Sequence, residues 1–225
     1  MNDVADLIEI TGLALVIALS PVPVTGQLLL VLNNRTQWTS AAFATGWAIA
    51  LLAVCGLAAT GAALLLPRFF DVDWRELAPI TVVIGVGLII GGAILWRRPA
   101  ADANAEPSRM TRIFTGLGPT RGLFIGFGYG ALRPKNFLAS VAAGLITGAN
   151  SSLWDGTLLV LYFTALASAT LAAPVLVYVL GGSRTRGGMH RLQALLARHG
   201  NRITGSALVV IGLIVAGFGL QQLVT

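Results

Sequence analysis

Two positively charged side chains, Arg133 and Lys135, flank Pro134 in a run of residues that is otherwise apolar enough to cross a bilayer. Lys135 is the only lysine of the 225-residue chain, and Asn136 follows it. Ionisable groups at membrane depth are costly and usually serve a function. A guanidinium binds phosphate, sulfate or carboxylate through paired hydrogen bonds, and an ammonium adds a point charge. Because no acidic residue lies in the interior of an apolar run, we expect these cations to bind an anionic ligand.

A second interruption, Ser20-Pro21-Val22-Pro23, lies in the first apolar run. Proline has no backbone N–H, so it frees the carbonyl four residues earlier, and it disfavours a helical conformation in the preceding residue. Both runs therefore unwind locally, and the helix that restarts near Lys135 presents the positive end of its dipole. We expect the two breaks to face each other and to form one anion site, whose hydrogen-bond shell Ser20, Thr25, Gln27 and Asn136 would complete.

The same cations have a structural alternative. Pro21, Pro23 and Pro134 free the carbonyls of Ile17, Leu19 and Gly130, respectively. Arg133 and Lys135 would then satisfy these carbonyls or extend to water. A combined role, in which the cations hold the breaks open and also contact a ligand, stays open.

Several function classes lack candidate residues. The sequence has no Ser/His/Asp set, paired acids, glycine-rich nucleotide loop or metal-ligand spacing, and Cys55 is its single cysteine. We therefore expect no catalysis, no cofactor and no metal. The chain is 56% hydrophobic and only 11% charged, against about 25% charged in soluble domains. The net charge of +6 consequently indicates membrane topology and not a nucleic-acid partner.

Spans of about 20 apolar residues cross a bilayer, and six such runs are present, at about 8–32, 40–66, 77–96, 120–148, 154–180 and 202–222. Of the 15 basic residues, 11 lie in or beside the first, third and fifth loops. The positive-inside rule places these loops in the cytoplasm and both termini outside. The sequence thus predicts a multi-pass membrane protein.

The small polar segment Pro99–Pro107 predicts a cytoplasmic linker, about 99–118, inside one transmembrane domain, 1–225. It separates a first repeat, about 1–98, from a second, about 119–225. Three spans in each repeat force opposite insertion, so we expect an all-α fold of two inverted repeats with broken helices in spans one and four. Interrupted spans at matching places are typical of transporter sites.

Two helical patterns predict packing. Gly122, Gly126 and Gly130 recur every four residues, which favours close helix packing within the monomer over a dimer contact. Met189 and Leu192 alternate with cations at helical spacing. They predict either a separate helix on the inner membrane surface or an amphipathic lead into span six.

With these residues in view, the chain resembles the LysE-type exporter superfamily, and most of all its actinobacterial GAP/Sap group of glycopeptidolipid- and sulfolipid-addressing proteins. The resemblance covers nearly the whole chain and depends on Leu19-Ser-Pro-Val-Pro23 and Arg133-Pro-Lys-Asn136, with weaker support from Gly46-Trp47. Amino-acid exporters of the superfamily tend to carry Pro-Gly-Pro and Asn-Pro-Lys, where this chain has Val22 and Arg133. The resemblance implies movement of lipids or glycolipids across the bacterial plasma (inner) membrane, and the added guanidinium favours a strongly anionic head group.

Three hypotheses follow. The leading one is a transporter of an anionic lipid, glycolipid or polyprenyl phosphate whose head group binds Arg133 and Lys135 between the two broken helices. The second is an exporter of small amino-acid-like or anionic metabolites. The third is a non-transporting membrane scaffold for lipid export. A homodimer, or a partner that synthesises or exports the lipid, stays open.

Overall fold

The structure is a computed structural model that describes residues 3–33, 37–69, 78–97, 117–150 and 152–224. Within these ranges the chain is helical throughout except at short breaks, and no strand occurs. A single 3-10 turn, Gly182–Thr185, joins the last two helices. The α-helices are α1 (Asp3–Ala18), α2 (Pro21–Asn33), α3 (Gln37–Phe69), α4 (Ala78–Arg97), α5 (Pro119–Ala131), α6 (Pro134–Asn150), α7 (Leu153–Gly181) and α8 (Arg186–Val224).

Three or four segments of the described chain are long and apolar enough to cross a membrane. Three are single helical stretches, Trp38–Leu65, Leu153–Gly181 and Arg198–Gly217. The fourth is the pair Asp6–Ala18 and Pro21–Leu32, bent by 53° at the first break. The predicted all-α membrane protein is thereby confirmed. The predicted third and fourth spans are absent from this set, because α4 contributes only a shorter apolar stretch, and α5 and α6 have 13 and 17 residues.

Prolines define where three helices begin. Pro21, Pro119 and Pro134 occupy the first positions of α2, α5 and α6. Proline is favoured there because the N–H that it lacks would have no partner inside the helix. The interruptions predicted from sequence therefore lie where local backbone chemistry requires them.

Helix α3 is the centre of the larger packing unit, with α5, α6 and α7 against it. Gly122, Gly126 and Gly130 are buried on the side of α5 that faces α3. A Cβ atom on Gly126 would collide with the backbone carbonyl of Phe43. The glycine ladder thus permits backbone contact within the monomer, as predicted.

Helices α4 and α8 form a second close pair. A Cβ on Gly92 would approach the carbonyl oxygen of Gly205 to 2.7 Å, and Trp96 Nε1 donates to Ser206 Oγ at 3.1 Å. Helix α8 is continuous over 39 residues from Arg186, so the predicted separate surface helix is wrong and the amphipathic stretch leads directly into the apolar one. The predicted linker lies outside the described residues, apart from 117–118.

Candidate functional site at two broken helices

The first break exposes the carboxyl end of α1. Helix α1 ends at Ala18 and α2 begins at Pro21. The backbone N–H of Ser20 donates to the Ile17 carbonyl at 3.2 Å, a tighter turn than the α-helical bond to the residue four positions back. The carbonyl of Val16 is thereby left available to a partner from elsewhere in the chain.

Side chains from two other helices satisfy this end of α1. Lys135 Nζ, on the first turn of α6, donates to the Val16 carbonyl at 2.8 Å. Thr170 Oγ1, in α7, donates to the Ala18 carbonyl at 2.8 Å. The carboxyl end of a helix carries a partial negative charge, so a cation there is favourable. Lys135 therefore joins the second break directly to the first.

The second break is capped by its own residues. Helix α5 ends at Ala131, and the carbonyl of Tyr129 accepts a hydrogen bond from Asn136 Nδ2 at 3.3 Å. Asn136 is 1% exposed, and its Oδ1 has no hydrogen-bond partner in the described part of the chain. Asn136 thus links the two short helices across the break.

Arg133 lies at the same break as Lys135 and Asn136 but contacts an aromatic ring. Its guanidinium carbon is 4.6 Å from the centre of the Tyr129 ring, a cation–π contact. The side chain is half-buried, and its neighbours Leu132 and Leu138 are 81% and 65% exposed. The break therefore carries exposed apolar side chains close to Arg133 in the sequence.

The acceptor of Lys135 differs from those named from sequence, the carbonyls of Ile17, Leu19 and Gly130. Lys135 donates to Val16 instead, because the turn at the break gives the Ile17 carbonyl a backbone donor. A structural role for this lysine is therefore present, one residue away from where proline chemistry alone would put it.

The other polar residues predicted for the site are dispersed. Ser20 is 5% exposed at the first break. Thr25 Oγ1 donates to the Pro21 carbonyl of its own helix at 2.8 Å. Gln27 is fully buried, and its Nε2 donates to the Ser40 carbonyl at 3.0 Å. The hydrogen bonds of Thr25 and Gln27 therefore connect α2 internally and to α3, and not to the two cations.

Sequence reasoning missed three features of this region. Tyr129 precedes Arg133 by four residues, a spacing that places two side chains on one helix face. Thr170 precedes Pro174 by four residues, so it is the residue whose carbonyl that proline frees. Neither spacing predicts that Thr170 forms a hydrogen bond with Ala18 or that Tyr129 accepts one from Asn136. The third is a cavity of about 580 Å³ beside the first break, whose walls include Ser20, Pro174 and Arg184.

Comparison with known proteins gives one match. The family model SfLAP, described as Sap, sulfolipid-1-addressing protein, matches residues 10–221. No curated protein and no solved structure matches the sequence. The match includes both breaks and the side chains described at them. The chain is a member of the Sap, sulfolipid-1-addressing protein, family.

Proposed function

We propose that this protein translocates an anionic lipid, glycolipid or polyprenyl phosphate across the bacterial plasma membrane, with the head group bound at Arg133 and Lys135. The observation that carries the proposal is the guanidinium of Arg133, which lies half-buried at a helix break that carries exposed apolar side chains. Within the described residues, neither cation forms an ion pair with a carboxylate. An uncompensated buried charge is heavily penalised, so an anionic head group would stabilise this arrangement.

Arg133 and Lys135 have different roles in this proposal. Arg133 presents a planar fork of donors that fits phosphate or sulfate oxygens, while the Tyr129 ring limits its orientation. Lys135 has three N–H donors and uses one of them on Val16. It therefore holds the carboxyl end of α1 and can still contribute charge to a head group at Arg133. Asn136 keeps α5 and α6 in register at the same break.

We further propose that the chain has six spans arranged as two inverted repeats, both termini outside, in the manner of LysE-type transporters. In this scheme α1/α2 correspond to α5/α6, α3 to α7, and α4 to α8. The helix packing agrees with this correspondence: α3 packs on α5 and α6, α7 packs on α1 and α2, and α4 packs on α8. Rocking of one repeat against the other would expose the site to each side of the membrane in turn. Binding and movement suffice for this role, so we propose no catalysis.

Lipid analysis tests the proposal. The wild type and the Arg133→Gln/Lys135→Gln double variant are purified, and the lipids that accompany each are identified by mass spectrometry. We expect anionic lipids to be enriched with the wild type and depleted with the double variant. Arg121→Gln is the matched control, because Arg121 is an exposed cation at the start of α5, away from the break.

A transport assay in vesicles completes the test. The double variant should lose movement of the enriched lipid between leaflets, while Arg121→Gln should retain it. Equal enrichment and equal transport in all three proteins would contradict the head-group assignment. Such a result would favour a scaffold for lipid export.

A further inference from the structure

The cavity beside the first break has no role in the site at Arg133. It is bounded by the break itself, by the carboxyl-terminal half of α7 and by the amphipathic beginning of α8. Of the lining residues, Ser20 belongs to the break, whereas Arg184 and Thr185 belong to the turn between α7 and α8. The cavity thus extends from the break to the loop that carries a cluster of basic residues.

The lining is apolar except for Ser20, Thr170, Arg184 and Thr185. Side chains of Leu28, Val177, Met189, Leu192 and Ile203 form much of the wall. Two of the lining hydroxyl groups are already engaged with the backbone: Thr170 Oγ1 donates to Ala18, and Thr185 Oγ1 donates to Gly182. The cavity therefore suits a hydrocarbon chain and offers little to a polar solute.

Arg184 is the one charged residue in the described lining. It makes no hydrogen bond, ion pair or ring contact with the described residues. Arg186, two positions later, differs in this respect: its Nη2 donates to the Tyr178 hydroxyl at 3.0 Å, and its guanidinium lies 5.7 Å from the Tyr178 ring centre. The guanidinium in the lining of the cavity is thus the one available to an anion.

The cavity is open to the surface of the protein, where we expect lipid. Leu19, Val177 and Leu192 line it and are 38%, 48% and 42% exposed. A volume of about 580 Å³ falls within the range of about 300–1,000 Å³ that ligand pockets occupy. An apolar void forfeits dispersion contacts on every wall, and the lipid chains at its open side are the nearest apolar material.

We propose that this cavity is a lipid-binding site that holds one acyl chain of an anionic membrane lipid, whose head group binds Arg184. The site is separate from Arg133 and does not need the transport role. The proposed topology puts the turn that carries Arg184 in the cytoplasm, so under that topology the lipid comes from the cytoplasmic leaflet. If the proposed function is also correct, this is where the lipid enters before its head group reaches the midplane.

Photolabelling in vesicles tests the site. The protein is reconstituted in phosphatidylcholine vesicles that contain a phosphatidylglycerol or a phosphatidylcholine analogue with a diazirine at the end of one acyl chain. After illumination, the labelled peptides are mapped by mass spectrometry. We expect the phosphatidylglycerol analogue to label α7 around Ala173–Val177 and α8 around Met189–Ile203 in preference to other lipid-facing helices.

Two neighbouring glycines supply a matched pair of variants. A Cβ on Gly187 or Gly188 would meet nothing within 4 Å, but only Gly188 lines the cavity. Gly188→Leu should therefore fill the cavity and lose most of the labelling, while Gly187→Leu should retain it. Ala173→Phe, which also fills the cavity, repeats the test at an independent position, with the exposed Ala169→Phe as its control.

A second pair of variants tests the charge. Arg184→Gln should reduce the preference for phosphatidylglycerol over phosphatidylcholine by about fivefold, the effect of one basic residue at an anionic membrane surface. Arg191→Gln removes an exposed cation of α8 that does not line the cavity and should leave the preference unchanged.

The two proposals fail in different ways. Labelling requires no translocation, so Arg133→Gln should leave it intact even where transport is lost. Equal labelling of wild type, Gly188→Leu and Ala173→Phe would overturn the site, as would equal labelling by the two analogues in the wild type.

Discussion

Lys135 Nζ lies 2.8 Å from the backbone carbonyl oxygen of Val16, 119 positions earlier in the chain. The bond connects the first turn of α6 to the last turn of α1 and places the only lysine at the negative end of a helix dipole. The presence of a cation within an apolar run is therefore explained in part by the backbone carbonyl group to which it donates a hydrogen bond. Arg133, on the other side of Pro134, has no comparable backbone acceptor in the described residues.

Removal of the Lys135 ammonium should destabilise the fold. Lys135→Met keeps the length of the side chain but leaves the Val16 carbonyl without its donor. A buried polar group that loses its partner costs about 1–3 kcal/mol, so we expect a lower unfolding temperature in detergent. Arg121→Gln, which removes an exposed charge, should have little effect. An unchanged unfolding temperature for Lys135→Met would show that the bond does not stabilise the break.

Thr170→Val tests the second donor at the end of α1. The substitution keeps the shape of the side chain and removes the hydrogen bond to Ala18. Hydrogen bonds between membrane helices contribute about 0.6 kcal/mol on average, so the loss of stability should be smaller than for Lys135→Met. Thr157→Val is the control, since the Thr157 hydroxyl donates only to Leu153 in its own helix. The free energy of unfolding is measured for the wild type and the three variants under one detergent condition, and the losses relative to the wild type decide whether this order holds.

Arg133→Lys distinguishes charge from geometry. Lysine retains the positive charge but lacks the planar fork and stacks less well on an aromatic ring. We expect anionic lipid enrichment between that of the wild type and that of Arg133→Gln, with little change in stability because Arg133 is half-buried. Quantitative lipid mass spectrometry checks the order. Identical enrichment in the lysine and glutamine variants would mean that charge alone is not recognised.

Gly126→Ala should disturb the packing of α5 on α3. A Cβ at this position would collide with the carbonyl of Phe43, and forced overpacking costs about 1–3 kcal/mol. Gly128→Ala, on the same helix, would meet only Leu132 Cδ1 at 3.9 Å. It should be neutral or stabilising by up to about 1 kcal/mol, because alanine favours helix over glycine. Comparison of folded yield and unfolding temperature between the two variants tests the contact, and equal values would argue against it.

The positions of the breaks, the membrane character and the family follow from the sequence, since each depends on local chemistry or composition. Pro21 and Pro134 lack an N–H, which favours a helix start at each of them, whereas Pro174 lies inside the continuous helix α7. The glycine spacing in α5 likewise predicts an intimate helix contact, because only glycine lets two backbones approach so closely.

Tertiary packing decided which residues far apart in the sequence form hydrogen bonds with each other. Lys135 reaches Val16 because α6 packs beside α1, and Gln27 is directed to Ser40 because α2 and α3 meet there. The cavity exists only where α2, α7 and α8 converge around Pro174 and Met189. No periodicity or local propensity encodes these distances, since they result from the relative placement of whole helices.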